Sequence, residues 1–245
     1  MDPREYDLMY RVEDEHWWYR GMEAITRKLL GRWFRDSVPL KILDAGCGTG
    51  AAMSNFLTDY GLVTGVDIEP LALAYCQKRD LTRLTCASVL DLPFASATFD
   101  LVASFDVLYE RAVADDLAAL REFARILAPG GRVLLRLPAY DWLRGAHDKV
   151  VHTRKRYTIK EVAHLLAQSG FTLEHISFAN MFLFPLAVIK RLSERLIPPS
   201  EEHSDLTLNA GPFNRVLQKI LASEAPLVAG SGLPFGLSVV AVGRR

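Results

Sequence analysis

Between Lys41 and Leu137, short aliphatic runs alternate with longer segments in which apolar residues return every three or four positions. The runs Lys41–Asp44, Leu62–Asp67, Leu84–Ala87, Leu101–Ser104 and Arg132–Leu137 have the length and apolar character of strands buried on both faces. The segments between them, Ala51–Asp59, Leu71–Arg79 and Val113–Leu127, predict helices, and in the last of these Leu117, Leu120, Phe123, Ala124 and Leu127 fall on one face. Pro129-Gly130-Gly131 is expected to stop that helix and launch the next strand. Strand and helix in turn predict a doubly wound α/β fold, a parallel sheet covered on both faces.

Beyond Leu137 the pattern loosens. Pro138 to Tyr157 reads as a polar loop rich in aromatic, histidine and basic residues, of the kind that carries function. Thr158, with Glu161 three residues on, forms a capping box for a helix ending near Gly170. Phe171–Ser177 and Leu237–Val242 read as strands, and the stretch from Asn180 to Gly232 as mainly helical, broken at Pro198-Pro199, Gly211-Pro212 and Gly230. Residues 1–39 predict one or two helices carrying His16-Trp17-Trp18-Tyr19, a cluster that reads equally as core packing or as a wall facing a ligand. The expected organisation is one domain with a helical cap (1–39), a core (40–140) and a region of loop, helical insertion and closing strands (141–245).

Charge narrows the partners. Lys plus Arg and Asp plus Glu balance at 29 each, and the one short basic cluster, His152 to Arg156, is too small for a nucleic-acid surface. Three cysteines, Cys47, Cys76 and Cys86, have no metal-ligand spacing, and with no signal pattern at the N-terminus a reducing, cytoplasmic setting is expected. The most apolar stretch, Phe178 to Ile189, holds Asn180 and Pro185 and falls short of the roughly 20 residues of a spanning helix. Contact with a membrane surface stays open.

The most informative segment is Ile42-Leu43-Asp44-Ala45-Gly46-Cys47-Gly48-Thr49-Gly50, a strand that runs into a glycine loop and then a helix. Alternating glycines remove side chains where backbone turns sharply against a ligand. A dinucleotide site prefers Gly-x-Gly-x-x-Gly with a pyrophosphate on the helix N-terminus. Here the spacing is Gly-x-Gly-x-Gly, and Asp44 at the entrance would repel phosphate but hold an ammonium. Asp67, 17 residues beyond Gly50, ends the second strand at the spacing of a ribose-binding acid. Ser88 can meet an adenine edge, with Ile68 and Val89 as apolar flanks.

In these motifs the chain resembles the class I methyltransferases that use S-adenosylmethionine. The hallmark strand and loop, Leu43 to Gly50, are followed by the matching acid Asp67, by Asp91-Leu92-Pro93-Phe94, by Phe99-Asp100-Leu101-Val102 and by Leu127-Ala128-Pro129-Gly130-Gly131. The resemblance covers roughly residues 40 to 140. It implies a Rossmann-like seven-stranded sheet of order 3-2-1-4-5-7-6 with the last strand antiparallel, which Leu237–Val242 would supply. It also implies S-adenosylmethionine as cofactor, held by Asp44, Gly46, Cys47, Gly48, Asp67, Ile68, Ser88, Val89 and Phe105. Many relatives carry an Asp where this chain has Ser88, which can accept the same bond. An S-adenosylmethionine binder without transfer, and a nucleotide-dependent oxidoreductase disfavoured by the glycine spacing, are the competing readings.

Methyl transfer from a sulfonium needs alignment and exclusion of water, and a base only where the acceptor starts protonated. His147, oriented by Asp148 or His152, is the first candidate base, with solvent-facing or loop-bonding roles equally open; His152 and Asp106 are the others, Asp106 reading equally as a helix cap. No known metal-ligand spacing matches His147, Asp148 and His152. Arg20, with Tyr19 beside it, is expected to meet the cofactor carboxylate. The apolar run Met181 to Ile189 lies where such folds build an acceptor lid and points to a small lipophilic or aromatic acceptor, with core packing or a homodimer surface as alternatives.

Overall fold

The computed structural model describes residues 3–34, 39–196 and 211–245. Two helices, α1 (Pro3–Val12) and α2 (Trp17–Trp33), precede the sheet. Then come β1 (Leu40–Ala45), α3 (Ala51–Asn55), β2 (Gly61–Asp67), α4 (Pro70–Gln77), β3 (Leu84–Cys86) and β4 (Phe99–Phe105). The second half runs α5 (Asp116–Ile126), β5 (Leu127–Pro138), α6 (Ala146–Val150), α7 (Ile159–Gln168), β6 (Thr172–Ala179), α8 (Phe184–Leu196), α9 (Asn214–Ala222), α10 (Ala225–Ala229) and β7 (Ser238–Arg244). The seven strands form one sheet in the order β3-β2-β1-β4-β5-β7-β6, the order implied by the resemblance. β7 is antiparallel to both β5 and β6.

The helices form for the reasons read from sequence. In α2, Met22, Ile25, Leu29 and Leu30 recur on one buried face, while Asp115 caps α5 by accepting from the N–H groups of Leu117 (2.9 Å) and Ala118 (3.1 Å). Thr158 caps α7 through the N–H of Glu161 at 3.3 Å. The helix expected over Ala51–Asp59 breaks at Phe56, whose φ of −152° leaves helical space, and resumes as a 3-10 turn at Leu57–Asp59. Pro129-Gly130-Gly131 makes an irregular start inside β5, opposite a register jump between Phe99 and Leu101, rather than separating helix from strand. The loop read over Pro138–Tyr157 contains a 3-10 turn (Asp141–Leu143) and α6. Pro198-Pro199 lies outside the described residues.

The topology opens a crevice. β1 pairs with β2 on one side and β4 on the other, so the connections leaving β1 and β4 diverge at their carboxyl ends, where folds of this kind bind ligands. α2 and α9 pack closely across one flank: a Cβ built on Gly21 would lie 2.8 Å from the Cβ of Leu221 and 2.6 Å from its Cδ2.

Gly21→Ala should therefore cost about 2 kcal/mol of overpacking against a helix-propensity gain of about 1 kcal/mol. A net loss of stability is expected in urea unfolding, and it should shrink in a Leu221→Ala background, which removes Cγ and Cδ2 but keeps the Cβ. Additive effects of the two substitutions would show that the helices are not in such contact.

Candidate functional site

The glycine loop turns back on β2. Gly46 has φ +83° and Gly48 φ +53°, and a Cβ on Gly46 would stand 2.2 Å from Val107. The N–H groups of Gly46 and Cys47 both donate to the carbonyl of Val66, at 2.7 and 2.9 Å. Gly48 N–H donates to Asp67 Oδ2 at 2.9 Å, and the other Asp67 oxygen accepts from Glu69 N–H at 2.9 Å. Burial pushes the Asp67 carboxyl up from its ordinary value, and these backbone donors pull against that.

Behind the loop lies Asp44, almost fully buried, with Oδ2 lacking a hydrogen-bond partner. Its burial, reinforced by the nearby Asp67 charge, pushes its pKa up to about 7, against the pull of Arg136. Arg136 sits in the cavity wall with Nε 2.5 Å from Asp106 Oδ2 and its guanidinium over the rings of Trp18 (4.8 Å) and Phe105 (5.0 Å). An orphaned buried carboxylate beside a side-chain-free cradle fits a cationic amino-acid ligand and not a pyrophosphate.

The N-terminal helices close over this cradle. Glu13 accepts from the Thr49 hydroxyl and from Arg79 Nη2 (2.8 Å), and Arg79 Nε also donates to the Thr49 carbonyl at 3.0 Å. Burial pushes the Glu13 carboxyl up to about 7 despite Thr49 and Arg79. Met9 Cε lies 3.0 Å from where a Cβ on Gly48 would sit, so α1 lies directly on the loop. Beneath it Cys47 and Cys76 bring their sulfurs to 3.9 Å, a contact that sequence spacing did not suggest.

One cavity of about 760 Å³ spans the site. Of the residues expected to hold cofactor, Tyr19, Asp44, Gly46, Cys47, Gly48, Asp67, Ile68, Ser88, Val89 and Phe105 all line it. Ser88 Oγ already accepts from Leu90 N–H at 3.1 Å. Arg20 is the exception: it is absent from the wall because its guanidinium is held by Glu23, one helical turn on, at 2.6 Å. Arg136 stands in the wall instead; an arginine between Leu135 and Leu137 in an apolar strand was the available signal. Glu13, Tyr6 and Met9 were also not foreseen, since only the folded cap brings them to the loop.

Among the expected acid–base residues, Asp106 lines the cavity, at φ +58° and paired with Arg136; it does not cap a helix. His152 is exposed and forms no part of the cavity wall, its carbonyl accepting from Arg111 N–H at 3.2 Å. His147 falls in α6, and its side chain lies outside the described residues. Asp148 lines the cavity, gripped by Arg156 through Nε (2.8 Å) and Nη2 (3.0 Å) and accepting from Gly145 N–H at 2.8 Å. Burial raises the Asp148 carboxyl, but Arg156 and these bonds outweigh it and hold it below the usual carboxylate range.

Comparison with known proteins agrees with this geometry. Residues 43–135 match the family described as Methyltransferase domain. The chain is 27% identical over 168 residues to a protein of Mycolicibacterium smegmatis named as a probable S-adenosylmethionine-dependent methyltransferase, covering 66% of this chain and 62% of that one. It is 33% identical over 172 residues to a demethylmenaquinone methyltransferase of Tropheryma whipplei, covering 68% and 65% of the two chains. The match thus spans less than two thirds of these relatives. In fold it is similar to a chain in a complex of the Haloferax volcanii Trm112 methyltransferase activator with a methyltransferase, at a TM-score of 0.62 and 21% identity over 99% of this chain and 93% of that one.

Asp67→Ala is expected to lower S-adenosylmethionine affinity about 100-fold in calorimetry, since it removes ligand contacts and the Gly48 tether together. Unchanged affinity in a folded variant would remove the ribose assignment. Asp44 supplies a pH signature. Below its pKa of about 7 it carries a proton, which an arriving ammonium must displace, so affinity should rise between about pH 6 and 8. Asp44→Asn should flatten that rise, and a persistent slope would place the titrating group elsewhere.

Proposed function

Because residues 43–135 form a class I S-adenosylmethionine-dependent methyltransferase domain, we propose that the whole chain transfers the cofactor's methyl group to a small lipophilic or aromatic acceptor. The observation that carries this reading is the mixed lining of the cavity. The glycine loop with Asp44 and Asp67 lines it, and so do the apolar side chains of Leu143, Val151, Leu183, Leu186, Leu217 and Leu237. The name of the Tropheryma whipplei relative, a demethylmenaquinone methyltransferase, supports an apolar acceptor carrying an aromatic or quinoid ring.

When bound, S-adenosylmethionine supplies an electrophilic methyl group on a sulfonium. The work of this chain is to orient and to exclude water. Asp44 is assigned to the ligand ammonium, Asp67 to ribose hydroxyls, and Ile68 and Val89 to the two faces of the base. Ser88 is left with its hydroxyl proton for the base edge while its oxygen serves Leu90. Arg136, oriented by Asp106, offers the cation near the loop that Arg20 does not. The cap of α1 and α2 shields the loop from water.

If the acceptor is a hydroxyl or an acidic carbon, its proton needs a receiver. Asp106, in the cavity wall, is the residue we assign, with His147 of α6 as the second candidate. Asp106→Asn should cut kcat about 100-fold, well beyond any loss of cofactor affinity through Arg136. Full turnover would remove Asp106 from the chemistry. A labelled-methyl assay against apolar phenols and quinols, with hydrophilic amines in parallel, tests the acceptor class. Transfer confined to the amines would overturn it.

A further inference from the structure

The cavity opens through a rim of exposed apolar side chains. On α8, Leu186, Ile189 and Leu192 follow at three-residue spacing and are 61%, 63% and 50% exposed. Leu186 itself lines the cavity, as do Ala187, Lys190 and Arg191 on the neighbouring side of the helix, so α8 borders the opening with one side inward and one outward. The same alternation recurs around the mouth. Trp142, Phe182 and Val216 are exposed, and each adjoins in sequence a residue of the cavity wall, Leu143, Leu183 and Leu217. Phe184 packs edge-on against Trp142 (6.1 Å) and Phe235 (5.3 Å), tying α8 to two neighbouring segments as one rim. Exposed apolar side chains on a helix at an opening, joined to its neighbours by aromatic contacts, mark a contact face.

Charge selects the partner. On α8, Lys190 and Arg191 are paired with Glu194, whereas on α9 Arg215 and Lys219 are exposed and the helix carries no acid. Two copies meeting through this face would set like charges against each other, because a two-fold contact opposes each patch to itself. An anionic lipid surface meets both demands. Apolar side chains enter the acyl boundary, aromatic residues sit at the headgroup level, and each basic residue near the surface adds attraction to anionic headgroups.

We propose that the face formed by α8 and the start of α9 docks on anionic membranes, placing the cavity mouth on the bilayer so that a lipid-dissolved acceptor enters without crossing water. The route for the acceptor rests on the apolar-acceptor reading above; the docking does not.

The test is co-sedimentation of the full chain with vesicles of phosphatidylcholine and phosphatidylglycerol at about 3:1, and with pure phosphatidylcholine. The chain should pellet with the anionic vesicles, bind neutral ones at least about tenfold more weakly, and be released by ~0.5 M salt. An Ile189→Ser/Leu192→Ser/Val216→Ser variant, altered only outside the cavity wall, should lose at least about tenfold in vesicle partitioning while its calorimetric affinity for S-adenosylmethionine is unchanged. Absence of binding to either vesicle overturns the proposal. So does sedimentation equilibrium showing a dimer that the triple variant splits, which would assign the face to a second copy. Because neither readout uses methyl transfer, a wrong acceptor class would leave the docking result standing.

Discussion

The hydrogen bond from Gly48 N–H to the Asp67 carboxylate is the contact on which the site depends. It requires Gly46 and Gly48 to hold positive φ, and it closes the end of β1 onto the end of β2. With the loop drawn back, Val107 fits against Gly46 without a Cβ in between, Met9 of the cap comes down on Gly48, and the crevice between the β1 and β4 connections becomes a deep cavity. A side chain at Gly46 would strike Val107, and loss of the Asp67 carboxylate would release the loop.

Depth has an electrostatic consequence. Asp44, Asp67 and Glu13 are withdrawn from water around the loop, and burial raises the pKa of each. Glu13 is steadied by Arg79 and Thr49, and Asp67 by backbone donors, whereas Asp44 keeps an oxygen without a partner. The unpaired acceptor of Asp44, among three buried acids, is what a cationic ligand would relieve, so the folded protein stores part of its affinity there. The leucines and Val151 of the same cavity wall have the opposite character, so one cavity offers surfaces for two chemically different ligands.

Much of this was legible from sequence because it is local. Three glycines after an apolar strand require the loop, an acid at the next strand end marks the second contact, and the alternation of strand and helix dictates the layers. The strand order came with the family resemblance, not with the alternation. What escaped depends on contacts distant in sequence. Glu13 reaches Thr49 and Arg79 across 36 and 66 positions, and Arg136 reaches Asp106 across 30. Arg20 stands outside the cavity wall for the converse reason: its own helix carries Glu23 within reach, and the two are paired. His152 looked chemical because histidine titrates near neutrality, but residue type does not tell which side of a turn faces the cavity.

The central claim, that the loop with Asp44 and Asp67 is built for a cationic nucleoside and not for a dinucleotide, is tested most directly by titration calorimetry of the purified chain with S-adenosylmethionine and, separately, with NAD and NADP. The account predicts saturable binding of S-adenosylmethionine and none of either dinucleotide. Binding of a dinucleotide with no affinity for S-adenosylmethionine would contradict it.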